Sequence, residues 1–438
     1  MLEPMKSAPL APLVPEADLE GARGDFLEAV RRGHERYGKL FRLKFGRTEM
    51  YIVCHPEFAY DVLVKRKDSF AKLGAGKAKT GLARVLGSGL LTNTDTESWF
   101  AQRRIVQPFF HKNRVARWGE LCVRKTESLI NNWHDSEQLV VDIADAMMCL
   151  VRTIMMQIVF SLEPSSNVTI DVPLSLATSS AKQLREVNAV LDEQVYSLIE
   201  RRRHDREGGK QFEDVLELLL NAQDADTGKG MSDVQIRDEL LTLFAAGHET
   251  TANALAWTLY ALANAPNEAE KLRDELGNVL AKRAPAVKDL AQLPYTKAVF
   301  QEGLRLYPTI PSAPRVALRS CELGGYAVPE GTKIFVSIYA IHRHPAFWSK
   351  RNSFYPERFL GGAALQRAYM PFGLGQRVCI GQNLALLIGQ LVLATLVPHL
   401  ALERLPDQAV QPKVSISLGT RYGMKMRLKW LTHDNPQS

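Results

Sequence analysis

The chain has 438 residues, 46% of them hydrophobic and 24% charged, with 55 Lys and Arg against 48 Asp and Glu for a formal net charge of +7. This balance excludes a disordered or collagen-like chain and leaves material for a large core. The positive excess is spread along the chain, which argues against a nucleic-acid partner, and no linker-like stretch divides it, so a single domain over 1–438 is expected.

Residues 1–24 form a proline-rich lead, with four prolines and two acidic residues in the first sixteen. The lead lacks the charged-then-apolar order of a signal peptide, so a soluble, cytoplasmic chain without a membrane anchor is expected. Helical spacing over 25–37 is followed by two alternating runs, 40–45 and 50–53, joined by the turn-like 46–49, which predicts a helix and a hairpin. From Trp99 to about Ala222 the pattern is mainly helical, with a Ser-, Pro- and Asn-rich break near 163–173. The run Arg201-Arg202-Arg203-His204 reads as a solvated helix end, with docking of a partner protein as the alternative.

The clearest element opens at Ser232, a good N-cap, and is stopped by Pro266. At roughly 33 residues it spans about 50 Å. Polarity returns at its centre, where Gly247-His248-Glu249-Thr250-Thr251 separates two apolar runs, and polar groups in a buried helix centre usually have a task. Helices over about 267–283 and 295–306 follow, then strand-like runs at 315–318 and 333–339. A coil-rich stretch, 343–381, leads into the apolar segment Leu384–Val397, which at 14 residues is a buried core helix rather than a membrane span. The fold class expected is mainly α with small β-sheets and a long central helix.

Five cysteines, an odd number with no C-x-x-C pair, make neither a disulfide framework nor a zinc site, and a reducing compartment fits. Cys54, Cys122, Cys149 and Cys321 lie in apolar contexts and are read as packing residues. Cys379 differs: in MPFGLGQRVCIGQN it sits in a glycine-rich loop just before the last helix. Backbone N–H groups and the positive end of a helix dipole favour a thiolate there. Glycines at 373, 375 and 381 let backbone approach a flat group, and Arg377 could pair with a carboxylate on its rim. An inert buried cysteine is the commoner fate of such a residue taken alone. Two other motifs fail on spacing: His248-Glu249 lacks the second histidine of H-E-x-x-H, and Gly76-Lys77 lacks the rest of a P-loop.

The segment Phe372-x-x-Gly375-x-Arg377-x-Cys379-x-Gly381 resembles the haem-binding signature of the cytochromes P-450. In the family's order stand Trp99-x-x-x-Arg103, Ala246-Gly247-x-Glu249-Thr250, Glu302-x-x-Arg305 and Pro356-Glu357-Arg358-Phe359, so the resemblance runs from about Phe41 to the C-terminus. It implies the cytochrome P-450 fold with the long helix crossing haem b (iron protoporphyrin IX), and Cys379 as axial ligand of the iron. Trp99 and Arg103 would serve one propionate and Arg315 the second, while Phe372, Gly375, Arg377 and Gly381 shape the cysteine loop. Glu249 and Thr250 would deliver protons for O–O cleavage, assisted by thiolate donation, with Gly247 opening room for dioxygen. A Thr250 hydroxyl bonded to the carbonyl four residues earlier is compatible with that role. Glu302, Arg305 and Arg358 would form a structural network; alone, Glu302 and Arg305 are an exposed ion pair.

The implied activity is insertion of one oxygen atom from O2 into a small-molecule or carrier-held lipophilic substrate, with electrons from a separate ferredoxin and ferredoxin reductase. A peroxide-driven peroxygenase and a haem-binding protein without oxygenase activity are the alternatives. Two departures stand out. Only thirty residues, 161–190, separate Phe160 from Leu191, shorter than the family's usual stretch, so the substrate cap is expected to be reduced. His344 replaces the acidic residue usual after His342-Arg343, a change expected to be peripheral.

Overall fold

The structure is a computed structural model that describes residues 8–22, 24–45, 48–74, 81–137, 139–163, 170, 172, 180–224, 228–361 and 367–431. The shortened cap lies largely outside the described residues, as do part of the hairpin turn and Gly76-Lys77. Helices dominate, with small sheets beside them. Two compact units are present, one within 1–78, 305–353 and 361–379, the other within 79–304, 354–360 and 380–438.

The first unit carries a five-stranded mixed sheet, in the order Leu40–Phe45, Thr48–Val53, Lys333–Ser337, Ser312–Ala317, Phe70–Lys72. The hairpin pairs Leu40 with Val53, and its second strand runs parallel to Lys333–Ser337. Helix Phe26–Tyr37, opened by the Asp25 carboxylate on the Glu28 N–H, contributes Ala29 and Val30 to a core shared with Phe41, Leu43 and Ile52. His344 is not peripheral. It is buried, and its ring lies 5.1 Å from that of His34 and 5.3 Å from that of His55. Burial, then the His34 and His55 charges, push it down to about 4; His55 is lowered too, chiefly by burial. The Nδ1 atoms of His344 and His55 accept the N–H groups of Ala346 (3.2 Å) and Glu57 (3.3 Å).

The second unit is built around helix Asp233–Ala263, whose N-terminus carries the reciprocal Ser232–Gln235 capping box. Helix Ile143–Phe160 packs along it and Gln382–Leu396 packs against Gly119–Asp135. Small residues set the spacing: a Cβ on Gly389 would overlap the Phe300 ring. Among the described residues, Ile143–Phe160 is the one helix long and apolar enough to cross a membrane, and half of it is buried inside the fold, as in a core helix. The arginine run is a solvated helix end at Arg201, Arg203 and His204, which are exposed, but not at Arg202. Arg202 is buried, bonded to Asp214 (2.6 Å) and the Phe160 carbonyl (3.2 Å), because helix Ala181–Glu207 turns that side inward, while Arg203 pairs with Asp233.

Candidate active site

In the first unit, the cysteine loop is folded by its own backbone. The Cys379 N–H donates to the Phe372 carbonyl (2.9 Å), the Val378 N–H to Gly375 (3.1 Å) and the Gly373 N–H to Met370 (3.0 Å). His342 anchors the loop's entrance: its Nε2 accepts the Met370 N–H (2.9 Å), so its Nδ1 carries the proton facing the Arg305 carbonyl (3.2 Å). Cys379 is exposed, whereas Cys54 and Cys122 are buried and their thiols pushed upward, that of Cys122 to about 12. Cys149 is exposed and Cys321 half-buried, so the packing role expected of all four fits only Cys54 and Cys122.

Gly375 has φ 75°, and a Cβ there would overlap the Leu63 carbonyl, which the π-helical turn Asp61–Lys65 presents to it. Gly373 has φ 76° with nothing within 4 Å. Gly375→Ala is therefore expected to lower stability by about 1–3 kcal/mol more than Gly373→Ala, read as a shift in urea midpoint at unchanged slope.

A cationic cluster stands in the same unit. Lys72 lies opposite Arg315 in the strand register. Its ammonium is pushed down to about 7, first by burial and then by the Arg377 and Arg315 charges, and burial also lowers Arg315. Three mutually repelling cations brought together in this way call for an anion. Arg315 and Arg377 were legible in the sequence. Lys72 was not, because only the pairing of two distant strands brings it beside Arg315.

In the second unit, the Thr250 hydroxyl donates to the Ala246 carbonyl (2.7 Å), and the buried Ser417 hydroxyl donates to Glu249 Oε1. Asn253 Nδ2 in turn donates to Ser417 Oγ (3.2 Å). No motif flagged Ser417, which lies on the C-terminal segment far from Glu249 in sequence. Beside Gly247 the space is filled: a Cβ there would stand 2.6 Å from Met155 Cε, so this glycine serves the packing of two helices.

Trp99 and Arg103 share a helix face, with the guanidinium 5.3 Å from the ring centroid. The indole N–H donates to the Leu90 carbonyl (3.1 Å), and Arg103 Nε donates to Gln107 (3.1 Å). An indole has one donor, so in this structure Trp99 fastens the 87–93 segment, and service to a propionate needs that bond exchanged. Gly381 is the N-cap residue of helix Gln382–Leu396, its carbonyl accepting the Ala385 N–H (2.9 Å).

Glu302, fully buried, accepts from Arg358 Nε (3.2 Å to Oε1, 3.1 Å to Oε2) and from the Tyr355 N–H (2.9 Å) within the second unit. Arg305, equally buried, belongs to the first, where it donates to the carbonyls of His342 and Arg351 (2.8 Å each) and Ser353 (3.1 Å).

A family profile described as Cytochrome P450 matches residues 12–167 and 164–421. The chain belongs to the cytochrome P450 family. It is 33% identical over 396 residues to cyclooctat-9-en-7-ol 5-monooxygenase of Streptomyces melanosporofaciens, covering 84% of each chain. It is 30% identical over 406 residues, 87% of each chain, to cyclooctatin synthase of the same organism. Among solved structures it is similar to the haem domain of cytochrome P450DA, with TM-score 0.86, 25% identity, and coverage of 97% of this chain and 98% of that one. This P450 is accordingly a haem-thiolate monooxygenase with the P450 fold. The residues of its first unit fit a haem: an exposed cysteine thiol suits the iron, and the Lys72, Arg315 and Arg377 cluster suits anionic carboxylates on the porphyrin rim.

Proposed function

We propose that this P450 binds haem b through Cys379 and hydroxylates or epoxidises a lipophilic cyclic alkenol or related terpenoid, in the cytoplasm, with electrons from a separate ferredoxin and its reductase. The whole chain, 1–438, acts as one haem domain. The observation that carries this reading is the exposed Cys379 in a unit that also gathers three cations, Lys72, Arg315 and Arg377. A cyclic alkenol as substrate is supported by the Streptomyces relative cyclooctat-9-en-7-ol 5-monooxygenase.

When bound, the haem supplies activation of O2 with two electrons. The residues do the rest. Arg315, Arg377 and Lys72 neutralise propionates, and the backbone loop around Cys379 keeps its sulfur oriented. Glu249, held by the Ser417 hydroxyl, is the proton-handling acid, and Thr250, its hydroxyl turned to Ala246, presents lone pairs that accept and pass a proton.

The test is the absorption spectrum of the reduced, carbon-monoxide-bound protein. The long-wavelength Soret band of a thiolate ligand is expected, and Cys379→Ser should abolish it. A band at the position typical of histidine ligation, or no haem band, would overturn the assignment. With an electron donor and a spectrally responsive cyclic alkenol, Thr250→Ala is expected to leave O2 consumption running while product per O2 falls several-fold and peroxide rises. Unchanged coupling would remove Thr250 from the proton path.

A further inference from the structure

Two neighbouring carboxyl groups of the central helix reach one segment of chain. The Ser88 N–H donates to Asp238 Oδ2 (2.6 Å), and the Leu90 N–H donates to Glu239 Oε2 (3.1 Å). The approach depends on glycines: a Cβ on Gly87 would overlap the Asp238 carboxylate, and one on Gly89 the Thr242 hydroxyl. From helix Thr96–Val106 the same segment is held by the Trp99 indole on Leu90 O and by Gln102 Nε2 on Ser88 O (2.9 Å). The segment leads directly into Asp95, whose carboxylate caps that helix.

The two acids are not equivalent. Asp238 is paired with Arg237 (2.9 Å), which also binds Asp192 of helix Ala181–Glu207 (2.7 Å) and the Val85 carbonyl (2.8 Å). Tyr196 of that helix faces the same charges. Glu239 is fully buried and receives the Leu90 N–H, and among the described residues its Oε1 has no hydrogen-bond partner; neither has the buried Thr242 Oγ1, one turn further along the same face. Residues 87–93 bring no titratable side chain, and the neighbouring helix brings Trp99 and Gln102. An enclosed carboxylate with a single donor and another acid beside it is costly, whereas a neutral acid there costs little.

We propose that Glu239 is a proton-dependent clamp: as a neutral acid it accepts the Leu90 N–H on Oε2, carries its proton on Oε1 toward an internal water shared with Thr242, and releases the 87–93 segment on ionisation. The site is polar on two sides and closed to bulk solvent, as a bound water requires. Burial is the main reason its acidity is weak, with ionisation near about 8, opposed by the Leu90 N–H and reinforced by Asp238. Glu239 is thus a positioning residue for the segment that precedes the Trp99 and Arg103 helix.

The test uses the purified holoenzyme. Amide hydrogen exchange over residues 82–95, corrected for intrinsic pH dependence, is expected to be slow below the Glu239 ionisation and about tenfold faster above it, the loss of one hydrogen bond. Glu239→Gln, a neutral isostere, should stay protected throughout and lose the infrared band of a protonated carboxyl. Thr242→Val should move that band to higher frequency, as for a carboxyl that has lost a partner. A Glu239→Gln protein that loosens over the same pH range as wild type, or one that keeps the carboxyl band, would overturn the proposal.

Discussion

Glu302→Ala is expected to lose about 3–5 kcal/mol of folding stability, because it leaves the Arg358 guanidinium, 6% exposed, without its buried carboxylate. The Tyr355 N–H loses its acceptor in the same step. An exposed ion pair would cost a few tenths of that, so the size of the effect separates the two readings of this acid. Urea unfolding of the haem-free protein gives the number directly, and the Glu302→Leu/Arg358→Leu double variant should recover much of the loss, since a buried pair is often replaceable by packed apolar groups. A single-variant loss below about 1 kcal/mol would show that the network does not hold the fold.

The second large effect concerns Lys72, and its sign depends on whether an anion is present. In the haem-free protein the ammonium ionises near about 7, against roughly 10.4 in an unfolded chain. Between those values the unfolded chain binds the extra proton, so stability rises with pH across that window, and the penalty of crowded cations is complete below it. Lys72→Met should therefore stabilise the haem-free protein near neutral pH and flatten the rise. Haem binding should respond in the opposite way. A propionate at the cluster keeps Lys72 protonated, so affinity falls as pH climbs above about 7 in wild type. The variant should lose roughly 10- to 100-fold in affinity at neutral pH, the value of one or two charge-assisted bonds. Haem transfer to an acceptor protein measures this without turnover. Equal transfer rates in the two proteins, at every pH, would remove Lys72 from the rim.

Most helices could be read from the chain, since each is written in local terms. Ser232 as N-cap, the apolar runs of the central helix and the Pro266 stop place its ends within a residue or two of the structure. The cysteine loop was legible because its glycines and its cysteine are adjacent in sequence. What could not be read are partnerships between distant segments. The strand register that sets Lys72 against Arg315, the reach of Ser417 to Glu249, and the capture of the Trp99 indole by Leu90 have no local signature. Arg202 was misplaced for the same reason, as a charged run says nothing of an Asp214 waiting on the inner side. Gly247 shows the converse: a motif position with a family role is occupied here with packing against Met155.

The three clustered imidazoles of the first unit, tilted or edge-on to one another, bear on the medium this protein tolerates. Burial depresses the proton affinity of both His344 and His55, so an unfolded chain takes up protons below about 6.5 that the folded one resists, His344 until nearer 4. Their contribution is complete at neutral pH and drains away across that interval, and each proton that does enter must displace a backbone N–H from Nδ1. An acid at position 344 would attract a positive charge on its histidine neighbours, whereas a histidine there can only repel it. The sheet of this unit is thereby suited to neutral surroundings and made fragile in mildly acidic ones, such as an acidifying culture or an acidic elution buffer.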